Sequence, residues 1–248
     1  MKHKYQISLQ EVQNFIKSEF THFAQAINPF EDNEKNIKDH LGEVFDDYKL
    51  NAILDGESLQ KLFFPTDMKQ KYRIFISHSS KDSEDIKMLA NILENTYNLP
   101  CFVDWMVWGN LKELQEKVDW ELCRHTERQD GGTTYSYVDR NYTTAHTHAM
   151  LSMALLDMID QCDICLFVSS GNSTLPSANF GDIKTLSPWI YEEISYMNHI
   201  AIRERGLFSE GGALQPIKIS HPLDLSDFEI LTSNNFLTKM QAVRQING

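Results

Sequence analysis

The chain has 248 residues, 42% hydrophobic and 23% charged, which supports a packed core and argues against wholesale disorder. Twenty-three basic and 35 acidic residues leave a formal charge of −12, so neither a nucleic acid nor an anionic membrane is expected as a partner. Four scattered cysteines cannot frame the fold with disulfides, and neither an apolar signal core at the N-terminus nor an apolar run of roughly 18 residues is present. A soluble, reduced, cytoplasmic protein is expected.

Residues 1–70 read as a helical extension distinct from the rest. Ser8-Leu9-Gln10-Glu11 has capping-box spacing, and Leu9, Val12, Phe15, Ile16, Phe20 and Phe23 follow at helical intervals. A second helix is predicted over 33–50 and a third over 58–64, ended by Pro65. No chemical constellation occurs here, so no part of a pocket is expected from it.

From Lys71 the pattern alternates. Residues 72–77 (Tyr-Arg-Ile-Phe-Ile-Ser) predict a strand, 83–97 a helix with Ile86, Leu89, Ala90 and Leu93 inward, and 101–104 a second strand. Another helix begins near Leu111 and fades by His125. Residues 127–141, with Gly131-Gly132, are expected to be a mobile loop. An apolar helix over 144–161 leads to Ile164-Cys165-Leu166-Phe167-Val168, the most apolar strand and so placed centrally. Ser187-Pro188 starts a helix running to about Asn198. Further strands are expected near 200–203 and 217–220, and a terminal helix over 227–245.

Three strands linked by helical crossovers imply a doubly wound parallel sheet, with the strands at 72–77 and 164–168 adjacent. Such sheets bind ligands beyond the carboxyl ends of their strands, where crossovers diverge. Three segments are nominated: 77–82, 104–110 and 169–173, all carrying hydroxyls or amides. A phosphate loop is absent, because 77–80 contains no glycine. Trp189 and Glu193 lie four residues apart on one helical face, so an indole could stack on an aromatic base beside a carboxylate. Ile190, Ile194 and Met197 mark the face toward the sheet, with Trp189 and Glu193 along its border.

In order, these segments resemble a Toll/interleukin receptor (TIR) domain of the bacterial type. Arg73 through Asp82 (Arg-Ile-Phe-Ile-Ser-His-Ser-Ser-Lys-Asp), Phe102-Val103-Asp104, Leu166 through Ser170 and Ser187 through Ile194 carry the resemblance. It covers 71 to about 199. It implies a flavodoxin-like, five-stranded parallel sheet over 71–248, with an insertion around 126–160 and the helical extension before it. It further implies an NAD+ glycohydrolase or cyclase, cleaving the nicotinamide–ribose bond in antiphage defence signalling. NAD+ would be substrate, with no separate cofactor and no metal. The resemblance makes Glu193 catalytic and places Ser77, His78, Ser79, Lys81, Asp104, Trp105, Trp108 and Trp189 around the substrate. It also implies a homo-oligomer formed through like–like domain contacts, with an effector or sensor protein as a further partner.

The sequence departs from that family between its second and third strands, where a longer segment replaces a single helix. The loop after the second strand is also unusual, reading Trp105-Met106-Val107-Trp108-Gly109-Asn110. Two other chemistries are weaker. Cys162-x-x-Cys165 would need His146 and His148 to complete a zinc site, but those two fall on nearly opposite sides of a helix. A serine hydrolase lacks its Gly-x-Ser-x-Gly elbow. The competing reading is a TIR module that scaffolds an assembly without turnover.

Overall fold

Among the described residues, five parallel strands form the central sheet, in the order β3-β2-β6-β1-β9. They are β1 (His3–Ser8), β2 (Ile74–Ser77), β3 (Cys101–Phe102), β6 (Ile164–Ser169) and β9 (Glu229–Leu231). The computed structural model describes residues 2–19, 55–67, 71–108, 111–127, 133–175, 183–203 and 221–246. β6 is buried from Ile164 to Val168, as its unbroken apolar run requires of a strand covered on both faces. Its register sets Ile74 and His3 opposite Ile164, so β2 and β1 flank it on either side. The adjacency expected of 72–77 and 164–168 is observed, and the α/β class with it.

The helices follow from local chemistry. The helix α3 (Ser83–Tyr97) buries Ile86, Leu89, Ala90 and Leu93, a stripe at helical spacing. It ends where Asn98 turns left-handed (φ 53°) and the Leu99 and Asn98 amides bond back to Leu93 and Glu94. The helix α7 (Pro188–Arg203) starts on Ser187, whose Oγ accepts the Ile190 amide at 3.2 Å. α1 (Leu9–Glu19) packs on α3 and on the terminal helix α8 (Ser233–Ile246), while α7 packs on β2. Glu11 Oε2 accepts the Ser233 amide at 2.7 Å and caps α8.

Several expectations are corrected. Residues 1–70 are not a purely helical extension, since His3–Ser8 pairs with both β6 and β9 inside the sheet. The division at 70 is replaced by two compact units. One comprises Met1–Ile27, Lys69–Val103 and Met158–Gly248, and the other Asn28–Met68 and Asp104–Asp157. Residues 200–203 continue α7 instead of forming a strand. The terminal segment splits into β9 and α8. The predicted helix over 33–50 and strand over 217–220 lie outside the described residues.

The second unit holds α2 (Gly56–Phe63), α4 (Asp104–Trp108), α5 (Leu111–Val118), a π-helical turn over Asp119–Cys123, the antiparallel pair β4 (Arg124–Glu127) and β5 (Thr133–Tyr135), and the larger part of α6 (Tyr137–Gln161). Much of the loop expected over 127–141 is therefore β5 and the start of α6. Asp119 is 3% exposed and is held by Arg140 Nε and Gln115 Nε2, each at 2.8 Å. The remaining pair, β7 (Lys184–Thr185) and β8 (His221–Pro222), is antiparallel and belongs to the first unit. No helix among the described residues is long and apolar enough to cross a membrane.

Candidate active site at the carboxyl end of the sheet

β2 and β6 are neighbours whose onward connections diverge: β2 leads through α3 to β3 at one edge, and β6 leads through α7 to β9 at the other. In sheets of this kind right-handed crossovers set two such helices on opposite faces, and ligands bind beyond the strand ends at that point. Two loops border it, residues 77–82 after β2 and 169–173 after β6.

Glu193 reaches this place from the second turn of α7. Its carboxylate is 4% exposed and accepts a hydrogen bond from Ser77 Oγ at 2.6 Å, at the last residue of β2. Ile190, Ile194 and Met197 are each 2% exposed or less, so the helix presents the expected face to the sheet. Glu193 sits within that face, deeper than the border position read from the sequence. Burying an ionised carboxylate is costly unless donors surround it, and Ser77 supplies one. Glu192, one residue earlier, points elsewhere and accepts the Tyr196 hydroxyl at 2.7 Å. Trp189, in the first turn, is partly exposed.

The other nominated residues divide into two groups. His78 and Ser79 are buried beside Ser77; His78 Nδ1 lies 3.4 Å from the Ile76 carbonyl oxygen, and Ser79 Oγ accepts the Lys81 amide. Lys81 is exposed. Ser77, His78, Ser79, Trp189 and Glu193 are thus grouped in the first unit. Asp104, Trp105 and Trp108 lie in the second unit, on α4, where a loop segment was expected.

One residue of the site was not singled out by sequence reasoning. Asp82 is 5% exposed and bridges the two loops: Oδ2 accepts Ser170 Oγ at 2.5 Å and Oδ1 accepts Asn172 Nδ2 at 2.6 Å. Its sequence signal, an aspartate just before a helix, reads as an ordinary cap.

No protein-family model, curated protein or solved structure matches the chain.

Among the described residues, no group of three or more His, Cys, Asp or Glu side chains is placed to hold a metal ion. All four cysteines are buried free thiols. Burial pushes the Cys165 thiol up to about 12, and raises the Cys101 and Cys162 thiols as well.

The arrangement suits stabilisation of a cation. A desolvated carboxylate, oriented by a hydroxyl and one helical turn after a partly exposed tryptophan, acts strongly on positive charge developing within a few ångströms.

Proposed function

We propose that this protein cleaves NAD+ between nicotinamide and ribose, with Glu193 as the catalytic carboxylate and Trp189 as the stacking surface. The observation that carries the reading is the buried Glu193 carboxylate, hydrogen-bonded to Ser77 where the β2 and β6 crossovers diverge. The TIR resemblance of residues 71–199 points to the same glutamate.

The chemistry needs few groups. Nicotinamide departs as a neutral molecule from a cationic pyridinium, taking the bonding electron pair, so no acid is required for its release. Ordinary glycoside cleavage employs two carboxylates, because its leaving oxygen must be protonated. The remaining ribosyl group becomes oxocarbenium-like, and Glu193 lowers its energy electrostatically. Water then adds to give ADP-ribose and a proton; an internal nucleophile adding in its place gives a cyclic product. In a cell this activity would deplete NAD+ or generate a nucleotide signal, consistent with a defence role.

Purified full-length protein incubated with NAD+ should release free nicotinamide together with ADP-ribose or a cyclic isomer, separable by liquid chromatography. A second reading takes the Ser77–Glu193 bond as an internal pin between β2 and α7 in a scaffold without turnover. On that reading NAD+ stays intact at every protein concentration, including those at which the chain self-associates.

A further inference from the structure

We propose that Asp82 is a positioning residue that locks the turn after β6 against the loop after β2, holding both walls of the crevice at a fixed separation for the substrate. The role in substrate binding rests on the proposed NAD+ reading; the lock itself does not.

The helix α3 shows what Asp82 has been diverted from. Asp82 occupies its N-cap, where an aspartate side chain ordinarily accepts an amide from the first turn. Here the carboxylate makes no bond to its own helix. Both of its oxygens turn instead to residues 170 and 172, across the gap between β2 and β6. A carboxylate that leaves its local donors for distant ones in a buried place is committed to a tertiary contact.

The bond to Ser170 organises the whole turn. A hydroxyl has one proton to give, and Ser170 gives it to Asp82. Its oxygen is then oriented to accept the amides of Asn172 and Ser173, at 3.0 and 3.1 Å. The Ser170 amide in turn donates to Ser173 Oγ at 2.7 Å. Ser173, 1% exposed, is held beneath the turn, while Gly171 and Asn172 face solvent at its tip. Without Asp82 the Ser170 rotor loses its fixed direction, and the two amides lose an oriented acceptor.

Three variants test this. Asp82→Asn keeps one acceptor for Ser170 but sets a donor against the Asn172 amide. Asn172→Asp alone sets two carboxylates together. The double variant Asp82→Asn with Asn172→Asp restores a donor–acceptor pair with its direction reversed. Amide hydrogen exchange at residues 172 and 173, measured against that of Ile164–Val168, reports the lock. Steady-state nicotinamide release reports positioning.

Asp82→Asn is expected to speed exchange at 172 and 173 about tenfold with little change in β6, and to raise KM for NAD+ about tenfold while lowering kcat by less. The double variant should recover most of both. Exchange that rises equally through β6, a loosened turn with unchanged KM, or a double variant that recovers nothing would each overturn the proposal. If the wild-type protein releases no nicotinamide, the proposed function falls, and the exchange pattern still decides whether Asp82 locks the turn.

Discussion

Glu193 and Glu192 differ only in their direction around α7, about 100° apart, yet one is buried on Ser77 and the other sits with Tyr196. Glu193→Gln keeps an oxygen to accept the Ser77 hydroxyl, so the melting temperature should stay within a few degrees of wild type. Glu192→Gln should leave both stability and any activity close to unchanged. A collapse of folding in Glu193→Gln, seen by thermal denaturation, would mean that the carboxylate is structural. The buried thiols give a second expectation at this scale. Cys165 is pushed up to about 12 by burial, and Tyr72, chiefly for the same reason, is also raised to about 12. In the unfolded chain a thiol ionises near 8.5, so above that pH the unfolded state binds fewer protons than the folded one, and stability falls as pH rises toward 12. The urea midpoint should therefore drop between about pH 8 and about pH 10.5, and a level midpoint would contradict the burial. That Trp189 and Glu193 lie one turn apart on α7 was legible from helical spacing alone. The role of Asp82 was not, because a cap aspartate bonded to its helix and one bonded across the sheet have the same sequence.

At the scale of elements, the strand that escaped the sequence reading is the one whose loss should matter most. β1 has Lys4 and Gln6 interleaved with the buried Tyr5 and Ile7, so it lacks the continuous apolar run expected of an interior parallel strand. Lys4 is accommodated because its ammonium reaches Asn198 Oδ1 at 2.9 Å and Asp227 at 3.4 Å and lies 5.3 Å from the Phe228 ring centroid. Lys2 donates to the carbonyls of Ile159, Asp160 and Cys162 and so caps the end of α6, where a cation complements the helix dipole. These tertiary partners are invisible from a six-residue segment. The misassigned strand at 200–203 has the converse cause: Ile200 and Ile202 suit a strand, but no stop signal interrupts α7 before Arg203. β6 and α3 were legible because their burial follows from their own periodicity. Removing residues 2–8 would leave β6 and β9 without their shared neighbour. The truncated chain should lose cooperative unfolding, as followed by circular dichroism; a truncation that still melted as sharply as wild type would contradict the place of β1 in the sheet.

For the whole molecule, the −12 charge would oppose the approach of an anionic dinucleotide such as the proposed substrate. Long-range repulsion is screened as salt is added. If NAD+ is the substrate, its KM should fall as ionic strength rises from about 10 to about 150 mM; a rise would reveal a local cationic surface that outweighs the net charge. The parallel α/β class was legible from alternating strand and helix patterns. The split into two units was not, because it depends on segments distant in sequence coming together. The central claim is tested most directly by nicotinamide release from the purified full-length chain, with wild type, Glu193→Gln and Glu192→Gln measured side by side. The account predicts release by wild type, a loss of about two orders of magnitude in Glu193→Gln, and a near-wild-type rate in Glu192→Gln. Equal rates in all three proteins, or a greater loss at Glu192, would contradict it.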